Sequence, residues 1–233
     1  MTDSPGGELR VLGLEGIPEV AEGDDLAALI SAAAPHGGFL EGDVVVVAHK
    51  AVSKAEGRLV AGAERSAAVH AESARILRRS SEVVISETRH GFVCANAGVD
   101  ASNVAPGWIC LLPVDPDLSA RRLRARMRRL TGAEVAVIIS DTFGRTWRKG
   151  QTNVAIGVAG IDPFLDYRGQ RDSFGNELSA TIICVADELA GAAELVMGKA
   201  TGRAAALVRG ARVGRGAGSA AGIVRPPDED LFR

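Results

Sequence analysis

Apolar positions along the chain fall into short bursts separated by longer segments of helical spacing. Leu9–Leu14 and Asp43–Ala48 (DVVVVA) have the length and valine content of buried strands. Between them, Asp24–Ala34 is rich in alanine and leucine with an acidic start, the pattern of a helix. The same kind of burst recurs at Glu82–Glu87, Trp108–Val114, Glu134–Ser140, Ala180–Val185 and Ala204–Val208, which predicts six or seven strands. Helices are expected over Ala63–Ser80, Leu118–Leu130 and Val185–Met197, the last opening with Asp187 and Glu188, whose charges suit a helix N-terminus. Strands alternating with helices predict a layered α/β or α+β domain. The glycine-rich stretches Gly91–Gly107, Thr142–Gly160 and Arg209–Gly222 read as long loops, which in a compact domain carry function or mobility.

Composition narrows this picture. With 233 residues, 46% hydrophobic and 24% charged, the chain can bury a sizeable core, and disorder, collagen and coiled coil are excluded. That length fits one elaborated domain or two small ones. No internal repeat or low-complexity linker divides the chain, so residues 1–233 read as one domain. The ending Arg225–Arg233 reads as exposed, or as a stub from which a further domain could continue. Lysine plus arginine (27) against aspartate plus glutamate (29) leaves a net charge of −2, so binding to nucleic acid or anionic lipid would have to be local. Cys94, Cys110 and Cys184 form no closely spaced pair and are odd in number, which argues for buried apolar residues over disulfides or zinc. The start MTDSPGGELR lacks the build of a signal peptide and no long apolar run occurs, so a cytoplasmic protein is expected.

Candidate chemistry lies at strand exits. No GxxxxGK[ST] loop occurs and the glycines near Gly214 fit no dinucleotide fingerprint, which excludes an ordinary P-loop enzyme and disfavours a Rossmann fold. After the strand at Glu134–Ser140 come Asp141, Thr142 and a glycine turn carrying Arg145 and Arg148. A carboxylate fixed at a strand end is a recurring divalent-metal position, and an Asx turn or helix cap is its ordinary alternative. Asp100 and Asn103 on a second glycine-containing loop offer another hard oxygen ligand and an amide, so two distant carboxylates could share Mg²⁺ or Mn²⁺. His49–Arg58, directly after the valine strand, supplies Lys50, Lys54 and Arg58, cations suited to phosphate oxygens or simply to a solvated face. Arg121–Arg129 packs six arginines into nine residues and invites a nucleic-acid reading. The spacing of Leu123, Met127 and Leu130 instead predicts an amphipathic helix with its basic side in water.

Several separate stretches, in order, resemble the coenzyme F420-0:L-glutamate ligase family, including the N-terminal ligase domain of its two-domain actinobacterial members. They are Gly13–Val20, Asp43–Arg58, Ala97–Asn103, Ser140–Arg148, Asp172–Leu178 and Gly198-Lys199. The resemblance implies a mixed α+β fold with flanking helices, distinct from P-loop and ATP-grasp enzymes, in a homodimer. It implies GTP-driven joining of L-glutamate to F420-0 through an acyl phosphate, with two Mg²⁺ or Mn²⁺ ions and a monovalent cation such as K⁺. By matching motif, Ile17, Pro18, Glu19, Val20, Lys54 and Asn103 would contact GTP, Asp100 and Asp141 would hold one divalent ion, and Thr142 would touch the second. Arg145 and Arg148 are added, from charge and position alone, as phosphate or carboxylate clamps working with Lys54. His49 stands where members of the family carry serine or threonine as a nucleotide contact, so that this contact is either lost, moved or replaced by an imidazole donor. Lys199 stands where some carry a glutamine ligand to the second ion, and a protonated lysine cannot ligate.

Overall fold

Four consecutive valines, Val44–Val47, have no solvent exposure at all, which requires a strand covered on both faces. The structure, a computed structural model, describes residues 7–62, 64–81 and 83–231. Met1–Gly6 of the start, Ala63 and Glu82 at the beginnings of two expected elements, and Phe232–Arg233 of the ending lie outside the described residues.

In chain order the first elements are β1 (Arg10–Gly13), α1 (Leu26–Ala32), β2 (Val44–Ala48), α2 (His49–Ala55), β3 (Leu59–Ala61), α3 (Arg65–Glu72), β4 (Ser73–Arg79), β5 (Val84–Thr88), β6 (Val93–Ala95) and β7 (Trp108–Cys110). They are followed by α4 (Pro116–Thr131), β8 (Ala136–Arg145), β9 (Arg148–Ile161), β10 (Phe164–Asp166), β11 (Ile182–Cys184), α5 (Val185–Met197), β12 (Ala205–Arg209) and β13 (Arg215–Gly216). The main sheet is ordered β1-β12-β2-β8-β9-β13. Among the described residues its one parallel pair is β2 with β8, in the register Val45↔Val137 and Val47↔Ile139. The fold is therefore mixed α+β, as expected.

Side chains of the two central strands alternate between faces. Val45, Val47, Val137, Ile139 and Leu207 join Leu26, Ile30, Ala120 and Met127 of α1 and α4 on one side. Val44, Val46, Ile138, Val158 and Val208 join Leu189, Ala190, Ala193 and Met197 of α5 on the other. A smaller core of Val69, Val99, Ile109 and Leu111 lies in the region of α3 and the strands β3 to β7.

Asp117 fastens the two halves of this arrangement. Its Oδ1 accepts the backbone N–H groups of Val158 and Ala220, each at 2.8 Å, and its Oδ2 accepts that of Ala221 at 3.1 Å. Asp117→Ala would leave three amides unsatisfied in or near the interior. We expect it to destabilise the fold by roughly 3–5 kcal/mol, read as a lower midpoint in urea unfolding.

Two sequence expectations fail for identifiable reasons. The helix expected over Ala63–Ser80 stops at Glu72, because Ser73 takes an extended backbone and its hydroxyl donates to Val69 O at 2.6 Å, competing with the helical ladder. The rest of that segment is β4, paired with β5 through two bulges. The loop expected over Thr142–Gly160 is the hairpin of β8 and β9. Within it Gly157 marks close approach instead of flexibility: a Cβ there would sit 2.4 Å from Pro116 O. By contrast, α5 covers the expected Val185–Met197, and the described strands outnumber the expected six or seven, six of them being only two or three residues long. Most of His49–Arg58, left without an element, forms α2, which ends at Ala55. The three cysteines are free, and burial pushes the thiols of Cys94 and Cys184 up to about 12 and that of Cys110 to about 11. Among the described residues no helix is long and apolar enough to cross a membrane.

Candidate functional site

The carboxyl ends of the parallel pair β2 and β8 open into a cavity of about 1090 Å³. Ligands favour this location because strand ends are rigid while the loops leaving them diverge. Ala48 pairs with Ser140 in the last rung, so His49 to Lys54 of α2 and Asp141-Thr142 of β8 are delivered to one wall. The segment Ile17–Val20, the loop around Asp100–Ala105, Glu194 of α5 and Gly198–Ala204 supply the others.

Both carboxylates of interest are kept ionised. Burial alone would push Asp141 up, but His49, the Thr142 amide and the Lys50 charge outweigh it and hold the carboxyl below its ordinary range. His49 Nε2 is 3.2 Å from Asp141 Oδ1, and the Thr142 N–H donates to the same oxygen at 2.7 Å. The buried imidazole meets Asp141 at ion-pair distance without hydrogen-bond alignment, and its Nδ1 has no partner among the described residues. At Asp100 burial again opposes a larger lowering by Lys50 and Ser102. Lys50 Nζ lies 2.6 Å from Asp100 Oδ2, while the Ser102 amide donates to Oδ1 at 2.8 Å and its hydroxyl to Oδ2 at 3.0 Å. Lys54, on the buried face of α2, extends its ammonium to the exposed carboxylate of Glu19.

A second network lies beside Thr142. The Lys199 ammonium donates to Thr142 Oγ1, to Asn153 Oδ1 at 3.4 Å, and pairs with Glu194 Oε1 at 3.1 Å. The Asn153 amide donates to Glu194 Oε2 at 3.0 Å, and Thr142 Oγ1 donates to Asn153 Oδ1 at 2.6 Å. Asn103, held at φ 54° in the left-handed region that asparagine tolerates, donates from Nδ2 to Lys199 O at 3.4 Å.

Of the residues singled out in the sequence, Ile17, Pro18, Glu19, Val20, His49, Lys54, Asp100, Asn103, Asp141 and Thr142 all line this cavity. Arg145 and Arg148 do not. They flank the exposed tip of the β8–β9 hairpin, where Arg145 donates to Lys149 O at 3.3 Å. Four residues of strand beyond Asp141 carry Arg145 about 13 Å along the chain direction, so proximity in sequence became distance in space. Arg58 is a structural residue, bound to Leu112 O at 2.9 Å and Glu72 at 3.2 Å. Sequence reasoning missed Gln151, Asn153 and Glu194. The first two lie in the segment read as a loop. Glu194 had one signal: a carboxylate in the last turn of α5, against the helix dipole.

Among the described residues no three His, Cys, Asp or Glu side chains converge as a metal cluster. Two ionised carboxylates are nevertheless a sufficient protein contribution for Mg²⁺ or Mn²⁺ when water and phosphate oxygens complete the shell. Asp100 and Asp141 thus fit one such ion. The oxygens around Lys199 already surround a cation.

The family model described as F420-0:Gamma-glutamyl ligase matches residues 16–210. The coenzyme F420:L-glutamate ligase of Methanothermobacter thermautotrophicus is 45% identical over 249 residues, covering 97% of this chain and 99% of its own. The protein of the same name from Methanopyrus kandleri is 44% identical, covering 97% and 100%. That from Archaeoglobus fulgidus is 42% identical, covering 97% and 96%.

Proposed function

The chain belongs to the F420-0:gamma-glutamyl ligase family, and on that premise we propose that it joins L-glutamate to coenzyme F420-0 by an amide bond at the expense of GTP. The observation that carries this reading is the convergence, in one cavity, of Asp100 from a loop and Asp141 from β8, far apart in the chain, with the buried Lys54 and with Lys50. Such a wall suits a polyphosphate: cations meet its oxygens, and fixed carboxylates hold a divalent ion between them. A divalent ion there supplies charge neutralisation for the transferring phosphoryl group.

The chain's own residues do the rest by positioning. Ile17–Val20 and Asn103 border the nucleotide, Lys54 and Lys50 meet the phosphates, and His49 orients the Asp141 carboxylate. A carboxylate oxygen of F420-0 attacks the γ-phosphorus, the bond to the GDP oxygen breaks, and an acyl phosphate results. The glutamate amine then attacks that carbonyl, an amide forms, and phosphate and a proton leave. No side-chain nucleophile is required, in keeping with three buried or half-buried cysteines whose thiols stay protonated.

Purified chain supplied with GTP, Mg²⁺ or Mn²⁺, L-glutamate and F420-0 should yield GDP, phosphate and glutamylated F420 in equal amounts. Product formed without GTP consumption would overturn the GTP-driven step, and absence of both would overturn the ligase reading. The competing reading, an RNA- or nucleotide-binding module on Arg121–Arg129, loses support from α4 itself. Arg121, Arg124, Arg126 and Arg128 are paired with Asp115, Glu134, Asp25 and Glu134, so much of the basic face is already neutralised. A homodimer belongs to the same proposal. Leu195, Trp147 and Phe174 are 86%, 86% and 90% exposed, apolar surface that a second copy would cover.

A further inference from the structure

Three oxygens of different chemistry converge beside the Asp141 wall: a hydroxyl from β8 (Thr142), an amide carbonyl from β9 (Asn153) and a carboxylate from α5 (Glu194). Hydroxyl, carbonyl and carboxylate oxygens together form the donor set of a hard cation. Local electrostatics also call for positive charge, because Glu194 sits in the last turn of α5, where the helix dipole is negative and that turn holds no basic residue. The occupant is the Lys199 ammonium, with three N–H donors for three acceptors. The Asn153 amide is oriented to match: its nitrogen donates to Glu194 and Ser140, leaving its oxygen for Thr142 and Lys199.

We propose that Lys199 is a tethered cation occupying an oxygen-lined position in the cavity wall, so that this chain binds one divalent ion where the same oxygens without the lysine would bind two. The inference rests on the reading of Asp100 and Asp141 as the ligands of the first ion. A tethered ammonium keeps the Thr142 side of the cavity positive whatever the metal supply, and gives the chain a phosphate-facing charge that chelators cannot remove.

Stoichiometry decides the matter without any turnover measurement. The full-length chain is titrated with Mn²⁺, with and without GDP, and free Mn²⁺ is read from its electron paramagnetic resonance signal. One Mn²⁺ per wild-type chain is expected. Lys199→Gln should bind two, with broadened lines from neighbouring ions, and adding Glu194→Gln should return the count to one. Lys199→Ala serves as a second variant, and thermal melting confirms that each remains folded. Two ions per wild-type chain, or one in both folded Lys199 variants, would overturn the proposal. No ion in wild type with one in Lys199→Gln would uphold the tethered cation and overturn the Asp100–Asp141 reading. No ion in any form would overturn both.

Discussion

Asp141→Asn should lower the rate of glutamylated F420 formation by about 10³-fold or more and weaken Mn²⁺ binding, with the protein still folded. The substitution is nearly isosteric, and the remaining carbonyl oxygen can still accept the Thr142 amide that now reaches Asp141 Oδ1 at 2.7 Å. What it removes is charge. Burial opposes ionisation of Asp141, but His49, the Thr142 amide and Lys50 together outweigh it, so the site is built around an anion there. Without it, His49 faces a neutral amide and one of the two carboxylates proposed to hold the ion is lost. Steady-state turnover at saturating GTP, read beside Mn²⁺ titration and a melting curve, separates the outcomes. Unchanged metal-dependent ligation would remove Asp141 from the ion site, whereas lost activity with lost folding would return it to a structural role.

Much of this site was legible because its residues sit in contiguous runs at the exits of strongly patterned strands. The Asp43–Ala48 and Glu134–Ser140 bursts are buried on both faces, so their apolar runs were continuous and their ends unambiguous. Asp141, Thr142, His49 and Lys54 follow those ends directly. The α5 helix was equally plain, with Asp187 and Glu188 at its start and Gly198 at φ 59° after its end. Failures came where tertiary contact overrides local pattern. Gly157 reads as a loop glycine until Pro116 O is found where its side chain would be. Asn153 and Glu194 have no motif, and they meet Thr142 only because β9 pairs back along β8 and α5 packs across them. Arg145 and Arg148 were placed by charge and nearness in sequence, and the straight run of β8 carried them away from the cavity.

Lys54→Ala should raise the GTP concentration needed for half-maximal rate by about 10- to 100-fold while leaving the glutamate requirement within about twofold. Lys54 is 8% exposed, held by α2 immediately after the central strand, and its ammonium reaches Glu19 in the Ile17–Val20 segment. Truncation therefore acts twice on an incoming triphosphate: it deletes a fixed cation and leaves the Glu19 carboxylate unpaired at the cavity edge, where it repels the phosphates. Glu19→Gln isolates the second effect. On the wild-type background it should tighten GTP or leave it unchanged, because it frees the Lys54 ammonium. Combined with Lys54→Ala it should recover part of the lost GTP affinity. The comparison distinguishes a phosphate contact from a strut that merely holds the Ile17–Val20 segment against α2. A strut would make Glu19→Gln as damaging as Lys54→Ala, and would raise the GTP and glutamate requirements together, since both substrates depend on the same cavity wall.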